Sequence, residues 1–73
     1  MRDSRQRRSA LIRSVVLLHL EQGPDTVKGT WSMVRSSLLF PLSEDAVRSA
    51  LVALRTEGKA RYHEGRWELA DRG

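Results

Sequence analysis

Cysteine is absent from this chain, so neither a disulfide nor a thiolate zinc site can form. Histidine is scarce as well, because the two that are present, His19 and His63, lie too far apart in the sequence to suggest a metal site. A domain of 73 residues has a small core and lacks these usual cross-links. Association with a second chain is the remaining means of reinforcing it.

Long hydrophobic runs are also missing. The apolar run VVLLHL is far shorter than the roughly 20 residues that a helix needs to span a bilayer. The N-terminal residues are basic and polar and do not resemble a signal peptide. We therefore expect a cytoplasmic protein that consists of one small domain.

No arrangement of residues suited to catalysis stands out. The segment GPDTVKGT lacks the glycine spacing of a phosphate-binding loop. His63 would be solvated at a hairpin tip and could not act as an oriented base. Trp31 and Trp67 lie on stripes that are more typical of a core than of a ligand-binding box. We expect a protein that is not an enzyme and that uses no cofactor or metal.

The positive charge is concentrated at the start of the chain. Residues 1–13 contain five arginines against one acidic residue, whereas residues 14–73 contain eight basic and eight acidic side chains. A basic segment attracts phosphate in a salt-dependent manner, although a solvated terminus that aids solubility would look the same. We predict a basic, flexible arm over residues 1–8 and a folded domain over residues 9–73.

The first helix is predicted over about 4–22, and Gly23-Pro24 ends it. It carries two adjacent apolar stripes, one formed by Leu11, Val15 and Leu18 and the other by Ile12, Val16 and Leu20. Together they cover more of the helix than packing on a single surface requires. Either the rest of the domain wraps around this helix, or the extra stripe of Ile12, Val16 and Leu20 contacts a second copy of the chain.

A second helix is predicted over about 30–39. Thr30 is its candidate N-cap, and Pro41 follows its end because proline disfavours helical geometry in the preceding residue. Its apolar stripe comprises Trp31, Val34 and Leu38. A short extended piece at Thr26-Val27 could precede it.

The third helix is predicted over about 44–57. Ser43 is its N-cap, Glu44 and Asp45 suit the positive end of its dipole, and Gly58 is the expected C-terminal stop. One side is apolar, with Val47, Ala50, Leu51 and Leu54. The opposite side carries Asp45, Ser49, Val52 and Thr56, with Arg48 and Arg55 on the flank.

A β-hairpin is predicted over residues 59–70, with Glu64-Gly65 as a two-residue turn. This turn pairs His63 with Arg66, Tyr62 with Trp67, Arg61 with Glu68, and Ala60 with Leu69. Strand alternation then assigns Ala60, Tyr62, Trp67 and Leu69 to the core side of the hairpin. The other side carries Arg61, His63, Arg66 and Glu68.

This order of elements resembles a winged helix-turn-helix domain, a mainly α fold of three helices and a small β-hairpin. The resemblance is carried by residues 30–39, the turn Phe40-Pro41-Leu42, the helix SEDAVRSALVALRTEGK and the hairpin ARYHEGRWEL. The segment LVALRTEG, followed directly by a hairpin, is similar to MarR- and ArsR-type transcriptional regulators and to small helix-turn-helix proteins of bacteria and phages.

The resemblance implies a module that binds double-stranded DNA, with the third helix in the major groove and the hairpin as the wing. The base-reading candidates that it implies are Asp45, Arg48, Ser49 and Val52. The implied contacts to phosphate or to the minor groove are Arg61, His63 and Arg66 from the wing. The arm arginines that could reach a neighbouring groove are Arg5, Arg7 and Arg8.

The acidic start of the third helix leaves other functions open. Many recognition helices are more basic, and here only Arg48 offsets Glu44 and Asp45. The charge-balanced body could instead bind a protein partner, because the fold alone does not determine function. A single-stranded nucleic-acid binder is a third hypothesis, and it rests on the basic arm and the hairpin aromatics.

Overall fold

Three helices precede a two-stranded antiparallel hairpin in the computed structural model, which describes the backbone of residues 2–70 and the side chains of residues 6–70. The elements are α1 (Arg2–Leu20), α2 (Val27–Ser37), α3 (Glu44–Thr56), β1 (Ala60–His63) and β2 (Arg66–Leu69). The predicted fold class, a mainly α chain with three helices and a terminal hairpin, is confirmed. Met1 and residues 71–73, which belonged to the predicted arm and domain, lie outside the described residues.

Helix α1 begins and ends two residues earlier than predicted. Residues 2–8, which the sequence suggested as a flexible arm, form its first turns, and residues 6–10 are exposed. After Leu20 the chain leaves the helix through a turn in which the Gly23 amide donates to the Leu20 carbonyl at 3.1 Å. Gly23 has a φ of 144°, a backbone conformation that side chains disfavour.

The two apolar stripes of α1 have different environments. Ile12, Val16 and Leu20 are buried, with 8%, 0% and 1% of their surface exposed, because α2, α3 and β2 all pack on this side. Leu11 and Leu18 are exposed. The hypothesis that Ile12, Val16 and Leu20 contact a second chain therefore needs correction, since the domain's own core already covers them.

Helix α2 begins earlier than predicted because its N-cap is Thr26 and not Thr30. The Thr26 hydroxyl accepts a hydrogen bond from the Gly29 amide at 3.0 Å. Thr30 is fully buried one turn later, where its hydroxyl donates to the Thr26 carbonyl at 2.8 Å. Val34 is buried as predicted, and the indole of Trp31 donates to the Leu42 carbonyl at 2.6 Å.

Helix α3 follows the prediction closely. The Ser43 hydroxyl accepts from the Ala46 amide at 3.1 Å, and Gly58 has the positive φ of 78° expected beyond the helix end. The predicted apolar stripe is the buried side, with Val47, Ala50, Leu51 and Leu54 all in the core. Packing of α3 on α1, α2 and β1 thus fixes which side remains available to a partner.

The hairpin has the predicted register, with His63 opposite Arg66 and Tyr62 opposite Trp67. Glu64 and Gly65 both have positive φ, at 52° and 80°, which is typical of a type I′ turn.

The hairpin is tied to the body by its backbone and by one face. Asp25 and Trp67 exchange two backbone hydrogen bonds of 3.0 and 2.7 Å. The extended piece before α2 therefore covers Asp25 and Thr26, whereas Val27 is already the first residue of the helix. Ala60 and Trp67 are buried as predicted. Tyr62 lies on the same side of the hairpin, but it is 55% exposed and not part of the core, because it lies over the groove beside α3.

Candidate nucleic-acid interface

The outer side of α3 presents all four of the predicted base-reading residues. Asp45, Arg48, Ser49 and Val52 are exposed. Asp45 and Arg48 are one turn apart, and the Asp45 Oδ1 lies 3.7 Å from the Arg48 Nη1. Since both side chains are largely in water, this is a weak pair of the kind common on helix surfaces.

The outer face of the hairpin presents the three predicted phosphate contacts. The Arg61 Nε donates to the Glu68 Oε2 across the strands, and the His63 Nε2 lies 3.5 Å from the Glu64 Oε2. Arg66 is exposed and has no ion-pair partner within the part of the chain that the structure describes. Of the two arginines among these residues, Arg66 is therefore the more accessible to a new anion.

A groove separates α3 from the hairpin. Its lining joins apolar and basic side chains from α2, α3 and both strands, namely Val27, Arg48, Val52, Arg55, Tyr62 and Trp67. Of the four predicted α3 residues, Arg48 and Val52 therefore share a space with the hairpin, whereas Ser49 lines a separate pocket beside α1. Any extended ligand lying along α3 would meet the hairpin as well.

Arg55 and Tyr62 belong to this groove, although sequence analysis did not place either among the binding residues. The Arg55 guanidinium lies 5.8 Å from the ring centroid of Trp67, and the rings of Tyr62 and Trp67 are 5.3 Å apart at an angle of 57°. Arg55 lies two helical turns after Arg48, so helical spacing could have identified it. Strand alternation fixes the side of the hairpin on which Tyr62 lies but not how deeply it is buried.

The arginines near the start of α1 lie apart from this groove. Arg7 and Arg8 are exposed, and the Arg8 guanidinium lies 5.0 Å from the ring centroid of Phe40, in the connection between α2 and α3. Arg5 is in the helix, but its side chain lies outside the described residues. The structure therefore brings α3 and the hairpin together and leaves the α1 arginines on a neighbouring surface.

His19 and Asp25 form a structural contact beneath the hairpin. The His19 Nε2 lies 2.7 Å from the Asp25 Oδ2, and the other carboxylate oxygen accepts from the Thr26 amide at 2.7 Å. The backbone of Asp25 also pairs with Trp67. This segment therefore joins α1, the start of α2 and β2, and it holds the hairpin against the body.

Among the side chains of residues 6–70, no group of three or more histidine, aspartate or glutamate residues could hold a metal ion. Among the described helices, none is both long enough and apolar enough to cross a membrane.

Comparison of the chain with models of protein families, with curated proteins and with solved structures found no match.

Proposed function

We propose that this chain is a small DNA-binding protein, a transcriptional regulator that contacts the major groove with α3 and the backbone or minor groove with the hairpin. The observation that carries the proposal is the shared groove, because α3 presents Arg48 and Arg55, and the hairpin presents the half-exposed Tyr62, to one space. A recognition helix beside a hairpin is a known way of engaging base edges and phosphates together.

The outer side of α3 offers chemically distinct contacts to base edges. Arg48 can donate two hydrogen bonds to guanine, Ser49 can bond a base edge or a phosphate, and Val52 can contact the methyl group of thymine. Asp45 can accept a hydrogen bond from cytosine, and it repels phosphate. These four side chains provide the sequence preference in this proposal.

The hairpin and the first turns of α1 supply contacts that position the protein on DNA. Arg66, Arg61 and His63 would contact phosphates or the minor groove from the hairpin. Arg5, Arg7 and Arg8 would extend this basic surface from a helix, and not from the flexible arm that the sequence suggested. Because such contacts release counterions from DNA, affinity should fall as salt rises.

We also propose that the protein works as a homodimer, through the stripe of α1 that the core leaves uncovered. Leu18 on α1 and Met33 on α2 are 59% and 57% exposed and line a groove whose remaining members are Val15, His19, Gln22, Val34 and Ser37. The groove has no acidic, lysine or arginine side chain, so two copies could meet there without repulsion between like charges. Pairing would double the roughly 600 to 1,000 Å² that a single small module buries on DNA.

A protein-interaction module on the same fold is the alternative function. It is favoured by the equal numbers of basic and acidic side chains in residues 14–73 and by the ion pairs on α3 and the hairpin. A surface neutralised in this way attracts DNA less strongly than its arginines alone would.

Deleting residues 1–8 separates the two functions. The deletion removes four arginines from the start of α1 and leaves the buried stripe that begins at Ile12. If residues 9–73 themselves bind DNA, the truncated protein should bind duplex DNA more weakly than the full chain but retain its sequence preference. Loss of all DNA affinity, with the helical circular dichroism of the full chain preserved, would favour the protein-interaction function.

A further inference from the structure

Two arginines, one on α3 and one on the hairpin, already have a carboxylate partner. Arg48 lies near Asp45, Arg61 is hydrogen-bonded to Glu68, and His63 lies near Glu64. A phosphate that approaches Arg48 or Arg61 therefore meets a guanidinium group that is already paired with an acid of the same chain.

The Arg61–Glu68 pair is the stronger of the two arginine pairs. The two residues are directly opposite each other in the hairpin register, and the Glu68 side chain is only 19% exposed. Partial withdrawal from water strengthens the attraction between the two charges. Asp45, by contrast, is 91% exposed and lies 3.7 Å from Arg48, so water competes effectively for that pair.

A carboxylate and a phosphate make equivalent demands on a guanidinium group. Each accepts hydrogen bonds from the planar N–H donors of arginine, and a donor that is held by one is not free for the other. Glu68 accepts from the Arg61 Nε, so a phosphate must either bind the remaining N–H donors close to this second negative charge or displace Glu68 from Arg61. The carboxylate therefore reduces the binding free energy that the arginine contributes when it contacts a phosphate.

We propose that Glu68, and more weakly Asp45, compete with phosphate for Arg61 and Arg48 and so hold the affinity for DNA below the level that the arginines alone would give. This inference rests on the proposed DNA-binding function. The two acids then limit non-specific binding, so that sites with favourable base contacts are distinguished from the rest of the DNA.

Removing the charge of Glu68 should strengthen DNA binding. Glu68→Gln keeps the size of the side chain and releases Arg61, and the affinity for a random-sequence duplex should rise about three- to tenfold at low salt. The plot of log affinity against log salt concentration should also become steeper by about one, because one more phosphate is neutralised. Asp45→Asn should give a smaller rise, of about twofold.

Two comparisons distinguish this competition from a general change in charge. Glu57→Gln removes the same charge from a carboxylate whose partner is Lys59, 3.5 Å away at the end of α3, and should change the affinity by less than about twofold. In an Arg61→Ala background, Glu68→Gln should no longer strengthen binding, since the arginine that it releases is gone. Circular dichroism and thermal melting of each variant would show that the hairpin still folds.

The experiment measures the binding of all these variants to one fluorescent duplex by anisotropy over a series of salt concentrations. A rise with Glu68→Gln that disappears in the Arg61→Ala background supports the proposal. Equal affinity of the Glu68→Gln variant and the unmodified protein would overturn it and leave the DNA-binding function intact. Absence of binding by both proteins at low salt would overturn the DNA-binding function as well.

Discussion

The two sides of α3 differ in almost every property. The inner side is apolar, with Val47, Leu51 and Leu54 at most 1% exposed. The outer side is mostly polar, and its charged residues Asp45 and Arg48 are 91% and 61% exposed at the side chain. The inner side therefore determines whether the domain folds, whereas the outer side can vary without affecting the core.

In the hairpin, buried and exposed residues are separated less completely than in α3. Trp67 is 5% exposed, and its cross-strand partner Tyr62 is 55% exposed, although both point to the same side of the sheet. The difference arises because Trp67 lies against the body, where it pairs with Asp25, and Tyr62 lies in the groove. One side of the hairpin thus contributes to both the core and the binding surface.

The largest effect should come from the inner side of α3. Leu51→Ala removes a fully buried side chain and should lower the free energy of unfolding by about 2 to 5 kcal/mol. Its neighbour Val52 is 39% exposed, and Val52→Ala should change stability by less than about 1 kcal/mol. Urea denaturation followed by circular dichroism measures both, and equal losses would contradict the division between the two sides.

The next effect concerns sequence preference. Arg48→Ala should reduce discrimination among duplexes by about 1 to 3 kcal/mol, because the loss of a bidentate contact to guanine affects only the sites that contain it. Selection of binding sites from a random duplex library, followed by competition assays, measures this. An unchanged preference with unchanged stability would show that α3 does not read bases through Arg48.

A smaller and more uniform effect is expected at Arg66. Arg66→Ala should weaken binding to all duplexes alike and reduce the salt slope by about 0.9, the value for one phosphate contact. Titrations of a preferred and a random duplex at several salt concentrations provide the measurement. A loss confined to the preferred duplex would indicate that the hairpin contacts bases.

The smallest effect on stability is expected at the exposed stripe of α1. Leu18→Ser removes a side chain that is 59% exposed, so the free energy of unfolding of the isolated chain should change by about 0.5 kcal/mol or less. The mass in solution should nevertheless fall from dimer to monomer. Light scattering measures that mass, with Ser14→Ala, on the exposed surface of α1, as the control. A dimer that survives Leu18→Ser would place the interface elsewhere.

Local patterns predicted most of the fold. Ser43, the apolar stripe of α3 and Gly58 define that helix by themselves, and the Glu64-Gly65 turn fixes the register of the hairpin. These features depend on residues close together in the sequence. The bounds of α3 and the register of the hairpin can therefore be predicted from short stretches of sequence.

The errors arose where contacts between distant residues decide the outcome. Threonine is a common N-cap residue, so the residue type alone does not decide between Thr26 and Thr30. In the structure, a side chain at position 29 would overlap the carboxylate of Asp25, so glycine is the residue that fits there. Which stripe of α1 is buried depends likewise on where α2, α3 and β2 pack, and the stripe itself does not reveal this.

The candidate site could be predicted only in part. Helical and strand periodicity identified the exposed residues of α3 and the basic outer face of the hairpin. The groove that joins Arg55 and Tyr62 to them depends on the angle between two elements, which periodicity does not determine. The pairing of Arg61 with Glu68 follows from the predicted register, but its consequence for binding depends on the low exposure of Glu68.

Salt-dependent binding of the unmodified protein to duplex DNA tests the central claim most directly. Fluorescence anisotropy with a random-sequence duplex should show binding at low salt, with log affinity falling linearly as log salt concentration rises. A slope of several units would match contacts from the hairpin and from α1. No binding at low salt by a folded protein would contradict the claim that the outer side of α3 and the hairpin form a DNA-binding surface.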